Sequence, residues 1–253
     1  MSKRVDINAD IGESYGNYQV GDDENLMNYV TSVSIACGFH AGDPNVMEKV
    51  VRIAVKNNLN IGAHPGFPDL LGFGRRFIEV SPSEIKNYVT YQLGALSGFL
   101  RKYRVSLSFI KPHGALYRLV ETNEDVADSF IEAVNEFGGN LSIITEEDKV
   151  LEKLAIRSGI KVYREFFPDL RYDDNGNWII ERQKKESNVN EVYERAIEAV
   201  SHNSYTTIGG KKLETHPDTL CIHGDSKNCV DTARFLKEKL ASNDIDVMAF
   251  STT

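Results

Sequence analysis

The sequence predicts an α/β protein whose parallel strands alternate with helices in a barrel or barrel-like sheet. Three observations predict it. Seven short apolar, mostly β-branched runs recur along the 253 residues, and helix patterns lie between most of them. No Gly-, Pro- or Ser-rich linker divides the chain, so residues 1–253 read as one domain. Polar, reactive residues stand at the ends of six of the runs, and in a parallel barrel those ends converge on one rim. A doubly wound open sheet is the alternative.

The strands, in order, are RVDIN (4–8), VSIAC (33–37), NIGA (60–63), SLSFIK (106–111), LSIIT (141–145), IKVYREFF (160–167) and TLCIH (219–223). Pro44 opens a helix over 44–58, with Asp43 placed to cap it. The longest helix runs from Pro82 to about Arg104. Ser81 stands at its N-cap, Pro82 at N1 and Glu84 at N3, the pattern of a capping box. Further helices span 123–138, 146–158, 189–202 and 228–242, and Asp225 is a candidate cap for the last. Crossovers of this kind join parallel strands. The segment 167–188 breaks the alternation. DDNG (173–176) is a turn signal, and NWIIER (177–182) can pair back as a hairpin strand. GGKK (209–212) reads as a loop.

Composition and charge weigh against several classes. The net charge is −8, and Lys and Arg are scattered without a basic stripe, which argues against a nucleic-acid partner. No run approaches the roughly 18 apolar residues of a membrane helix. The N-terminus carries basic residues without an apolar stretch, so no signal peptide is expected. Cys37, Cys221 and Cys229 form no CxxC pair. An odd count fits a reducing cytoplasm, with all three as small buried hydrophobes.

The strand ends carry the chemistry. They offer Asn8, Asp10 and Glu13; His40 and Asp43; His64 and Asp69; Lys111 and His113; Glu165 and Asp169; and His223 and Asp225. Four of the six histidines (His40, His64, His113, His223) thus hold equivalent positions, each with a glycine within two residues after it. Such a glycine lets backbone N–H groups approach an anion at a helix start. Histidine supplies a proton shuttle or a metal ligand, and carboxylates supply bases. Four equivalent histidines point to a shared pocket. Asp10, His40 and His64 are the candidate metal set, although no spacing motif shows a metal. His202 and His216 read as surface or structural groups. Tyr117 reads as a pocket wall or helix packing, and Arg75 and Arg76 as an anion grip or a solvated pair. Neither a P-loop nor a GxSxG elbow is present.

DINADIGES, ACGFHAGDP, IGAHPGFPDLLGFGRR, IKPHGALY and CIHGD, in this order, resemble the lactam-utilisation (LamB/YcsF) family over about residues 5–250. Its members are A subunits of bacterial ATP-dependent 5-oxoprolinase. The resemblance implies a distorted seven-stranded (β/α) barrel of the kind shared with certain sugar deacetylases. It implies the reaction 5-oxo-L-proline + ATP + 2 H2O → L-glutamate + ADP + phosphate in the cytoplasm, with B and C partner subunits and ATP bound by the complex. On that basis Asp10 or Glu13 is expected as the base for water. His40, His64 and His113 are expected as proton donors or oxyanion stabilisers, and Lys111 as the anion clamp. Asn8, Asp43, Asp69, Glu165, Asp169, His223 and Asp225 complete the expected substrate- and anion-binding set. Arg118 stands where the family has Asn, and Leu170 where it has Arg; Arg171 is the nearest replacement guanidinium. The rival expectations are a metal-dependent hydrolase of sugar amides and a subunit that binds the lactam without catalysing.

Overall fold

In the computed structural model, which describes residues 3–179 and 186–250, seven parallel strands close into a barrel. β1 (Lys3–Ile11), β2 (Ser32–Ala36), β3 (Asn60–His64), β4 (Phe109–Ile110), β5 (Ser142–Thr145) and β6 (Val162–Phe166) pair side by side in chain order. β7 (Ser204–Thr206) and β8 (Lys212–Glu214) form a separate antiparallel hairpin joined by the GGKK region. β9 (Thr219–His223) pairs with both β6 and β1 and closes the ring. β10 (Ile245–Val247) pairs with β1 along Lys3–Val5. All seven expected strands are present. The expected 106–111 strand contracts to a two-residue ladder, extended by hydrogen bonds from the Ser108 and Lys111 amides to Ile61 and Ala63.

The helices are α1 (Asp23–Leu26), α2 (Pro44–Lys56), α3 (Pro82–Lys102), α4 (Gly114–Thr122), α5 (Glu124–Phe137), α6 (Val150–Arg157), α7 (Val189–His202) and α8 (Cys229–Ala241). The Ser81 capping box forms as expected: the Ser81 hydroxyl accepts from the Glu84 amide, and the Glu84 carboxylate accepts from the Ser81 amide. Asp43 caps α2 by accepting from the Asn45 and Val46 amides. Asp225 does not cap α8, which begins only after Asn228. The DDNG turn closes as expected, with Tyr172 bridging to Trp178 and the Ile179 amide donating to Arg171. Ile180, Glu181 and Arg182 of the expected hairpin strand lie outside the described residues. Among the described residues, no helix is long and apolar enough to cross a membrane.

Strand alternation sorts the residues into two layers. Val5, Ile7, Ala9, Val33, Ile35 and Leu220 face outward and join Leu93, Leu96, Phe130 and Leu236 of the helices in the main core. The lumen is different. At its N-terminal end, Phe109, Ile144 and Tyr163 form a small cluster, and the Phe250 ring stacks on Tyr163 at 3.9 Å to plug it. Gly62 makes this possible, because a Cβ there would overlap the Phe109 ring. Above the plug the lumen turns polar. Asp6 accepts hydrogen bonds from the hydroxyls of Thr31, Ser32 and Thr219, and Asn8 donates to Thr219 at 2.8 Å. The fold thus grades from apolar to charged along the barrel axis, toward the rim where the strands end.

Candidate active site

The C-terminal rim holds three connected groups of side chains. The deepest is centred on Lys111, which is 1 % exposed. Its ammonium lies 2.6 Å from Asp10 Oδ1, 3.0 Å from Glu165 Oε1 and 3.0 Å from Asn8 Oδ1, with Cys221 Sγ at 3.3 Å. Asn8 and Tyr117 also donate to Glu165, which fixes that carboxylate from two sides. Burial alone would discharge Lys111, but Asp10 and Glu165 hold its ammonium well above the usual lysine range. Burial would likewise raise Asp10, but His64 and Lys111 hold it well below the usual carboxylate range. All three ammonium hydrogens have acceptors. The geometry therefore does not support the anion clamp expected of Lys111; the group balances two buried carboxylates instead.

The second group is a histidine cluster. The His40 and His113 rings stack with centroids 3.7 Å apart, and His64 meets them edge-on. His64 Nδ1 lies 2.8 Å from the Lys111 carbonyl, and His113 Nε2 lies 2.8 Å from the Phe73 carbonyl. His64 Nε2 and His113 Nδ1 then face each other at 3.0 Å. Glu13 Oε1 stands 3.4 Å from His40 Nε2 and 3.6 Å from His113 Nδ1. Burial, followed by the neighbouring imidazoles, holds His40 and His113 well below the usual histidine range. The glycine after His64 serves this packing rather than an anion: a Cβ on Gly66 would lie 2.5 Å from His40 Nδ1. Gly74, at φ +62°, likewise makes room for the His40 and His113 rings.

The third group faces solvent. His223 Nδ1 lies 3.0 Å from both Asp169 oxygens, and its own amide donates to Asp169. Arg75 donates to Asp225 at 2.7 Å, tying the loop after β3 to the loop after β9. Between the groups opens a small pocket of about 40 Å³. Its lining combines Asp10, His64, His113, His223 and Arg75 with Tyr117, Phe167, Leu170 and Trp178, and the Phe167 ring stacks on His223.

Two expected site residues are spent elsewhere. Asp43 accepts from three backbone amides, those of Gly16, Asn45 and Val46. Asp69 is buried against Arg76 and the Gly72 amide. Arg171 is exposed and reaches Glu191, so it does not replace the guanidinium that the family carries at Leu170. Arg118 instead lies over the Trp178 ring at 4.5 Å. Phe167 and Trp178 are pocket walls that the sequence pattern did not reveal. The signal for them was slight, because Trp178 stood out only as the one tryptophan, in a segment that broke the alternation.

Known proteins are similar to this chain in sequence and fold. The A subunit of 5-oxoprolinase from Staphylococcus epidermidis is 40% identical over 252 residues, covering 98% of this chain and 100% of that protein. The lactam utilization protein of Thermus thermophilus superposes with a TM-score of 0.88 at 37% identity, covering 98% of this chain and 100% of that one. A family 4 carbohydrate esterase from Streptomyces lividans covers 99% of this chain and 94% of its own with a TM-score of 0.52 at 11% identity, a likeness of fold alone. The family model described as LamB/YcsF matches residues 5–253. The chain belongs to the LamB/YcsF family.

Proposed function

We propose that this chain is the lactam-binding and ring-opening subunit of a cytoplasmic, ATP-dependent 5-oxoprolinase, working with two partners, the B and C subunits. The observation that carries the reading is the His223–Asp169 pair on the pocket wall. Asp169 occupies Nδ1, which leaves Nε2 as the basic atom of an imidazole that is more exposed than the three clustered histidines. The apolar walls suit a small ring, and Arg75 suits its carboxylate.

In this reading the partner subunits hold the nucleotide. Five carboxylates (Asp10, Glu13, Glu165, Asp169, Asp225) surround the site against two cations, Lys111, which is held among its acceptors, and Arg75, which gives one nitrogen to Asp225. A triphosphate is poorly matched to that excess of negative charge. ATP phosphorylates the lactam carbonyl oxygen. Water then adds to the activated carbon and gives its proton to His223 Nε2. The ring C–N bond breaks, and the imidazolium returns the proton to the leaving nitrogen. A second water releases phosphate from the resulting γ-glutamyl phosphate, so atoms balance at one ATP and two waters. His223 replaces Asp10 as the base here, because Asp10 is held strongly acidic by Lys111 and His64.

The test is glutamate formation by the chain co-expressed with its two partners. His223→Gln and Asp169→Asn should lower kcat roughly a hundredfold or more with the fold intact. Near-normal kcat in both variants would sink the assignment. Glutamate formed without ATP would sink the phosphorylation step.

A further inference from the structure

We infer that Glu13, His40, His64 and His113 form a binding site for a divalent transition-metal ion of the zinc class. A carbonyl can only accept, so the Lys111 carbonyl requires a hydrogen on His64 Nδ1, and the Phe73 carbonyl requires one on His113 Nε2. With both rings neutral, the remaining nitrogens, His64 Nε2 and His113 Nδ1, are bare lone pairs 3.0 Å apart, and a second proton on His64 Nε2 would also face Asp10 Oδ2 at 3.4 Å. Two lone pairs at that distance repel unless a positive charge sits beside them.

A single shared proton would satisfy that one contact. It would not satisfy His40, whose two ring nitrogens are fully buried and make no hydrogen bond among the described residues. His40 Nε2 instead points toward Glu13 Oε1. One atom from each of the four residues lies within 4.8 Å of the others. Three of the six separations, at 3.0, 3.4 and 3.6 Å, bracket the edge of about 3.3 Å of a tetrahedron built on metal–nitrogen bonds of about 2.0–2.1 Å. The outer shell is also in place, because two ring N–H groups are each held by a backbone carbonyl, which fixes the ligating nitrogen of its ring.

This set differs from the one the sequence suggested. Asp10 gives one oxygen to Lys111, and Glu13 and His113 complete the ligands in its place. The His40 and His113 rings stack at 3.7 Å, so holding an ion in the plane of both would require one of them to turn. His64 and His113 border the pocket, so a bound ion would stand at its floor as a Lewis acid. The inference is independent of the reading of the pocket as a lactam site.

The test uses the full chain, stripped of metal and titrated with Co²⁺ by visible absorption and with Zn²⁺ by calorimetry. One equivalent of each should bind, and the cobalt form should show the intense visible bands of tetrahedral coordination. Glu13→Gln and His113→Ala should each weaken binding at least about tenfold. Circular dichroism checks that they fold, and His216→Ala on the surface should leave binding unchanged. Absence of saturable Co²⁺ and Zn²⁺ binding to the folded wild-type chain would overturn the inference. So would binding that survives both cluster variants, or octahedral cobalt bands.

Discussion

Lys111→Met tests the charge arrangement beneath the pocket. The substitution keeps an unbranched side chain one atom shorter and removes its charge, leaving Asp10 and Glu165 buried without the cation between them. At an effective dielectric of about 20, each contact near 3 Å corresponds to roughly 5 kcal/mol of attraction. Desolvation of three buried ions offsets much of that. Removing one side of a buried ion pair generally costs about 3–5 kcal/mol, because a charge is left uncompensated. We expect a loss of that size at about pH 8. The direction with pH follows from the carboxylates. In the wild type, Asp10 is held below its unfolded value, so its stabilising contribution is present at neutral pH and is lost only as pH falls through the lowered value. In the variant, an orphaned carboxyl is raised instead, and its penalty disappears as it takes up a proton on acidification. The gap between the two proteins should therefore narrow from about pH 8 to about pH 5. Urea unfolding followed by circular dichroism measures it, with the slope checked for two-state behaviour. Adding Glu165→Gln to Lys111→Met should recover part of the loss. A loss below about 1 kcal/mol at the higher pH, or a gap that widens on acidification, would refute the reasoning.

Two further outcomes follow from the lumen. Burial pushes Asp6 up to about 6, against the lowering effect of its bonds to Ser32, Thr219 and Thr31. A group raised on folding stabilises most at low pH, so wild-type stability relative to Asp6→Asn should fall by up to roughly 3 kcal/mol between about pH 4 and pH 7. A difference that is flat with pH in urea titrations would show that Asp6 keeps its ordinary affinity for protons. Gly62→Ala would drive a methyl group into the Phe109 ring and should cost about 1–3 kcal/mol. Thermal melts would show this as a lowered Tm, partly restored by adding Phe109→Leu. An unchanged Tm would mean that the plug can shift at no cost.

Much of this was legible because strand-ending residues in a parallel barrel must share a rim. Asp10, His64, His113 and His223 could be brought together without knowing any distance, and the Ser81–Glu84 cap is a purely local pattern. What was not legible was who partners whom. Lys111 at a strand end looks like a free cation until Asp10 and Glu165, 101 and 54 residues away, are seen beside it. Asp43 and Asp69 look equivalent to Asp169, yet both are consumed within a few residues by backbone amides and by Arg76. The glycines misled for a similar reason. Gly66 follows a histidine in sequence, but the ring that needs its empty space belongs to His40. The two-residue β4 and the three-residue β7, β8 and β10 lie near the lower limit of strand length, where tertiary pairing rather than residue pattern decides the outcome.

The nine-residue β1 has a consequence for synthesis. It is made well before β9, for which one of its edges waits. Asp6 and Thr219 are 213 residues apart. At about 5–20 residues per second, that edge stays open for roughly 10 to 40 s. Throughout that interval the nascent chain presents a strand with unpaired amides on one edge, one apolar face, and Asp6, Asn8 and Asp10 on the other face. Holding such a segment apart from its neighbours on a polysome is work for a chaperone, and yield in a cell would respond to translation speed as well as to the stability of the finished barrel.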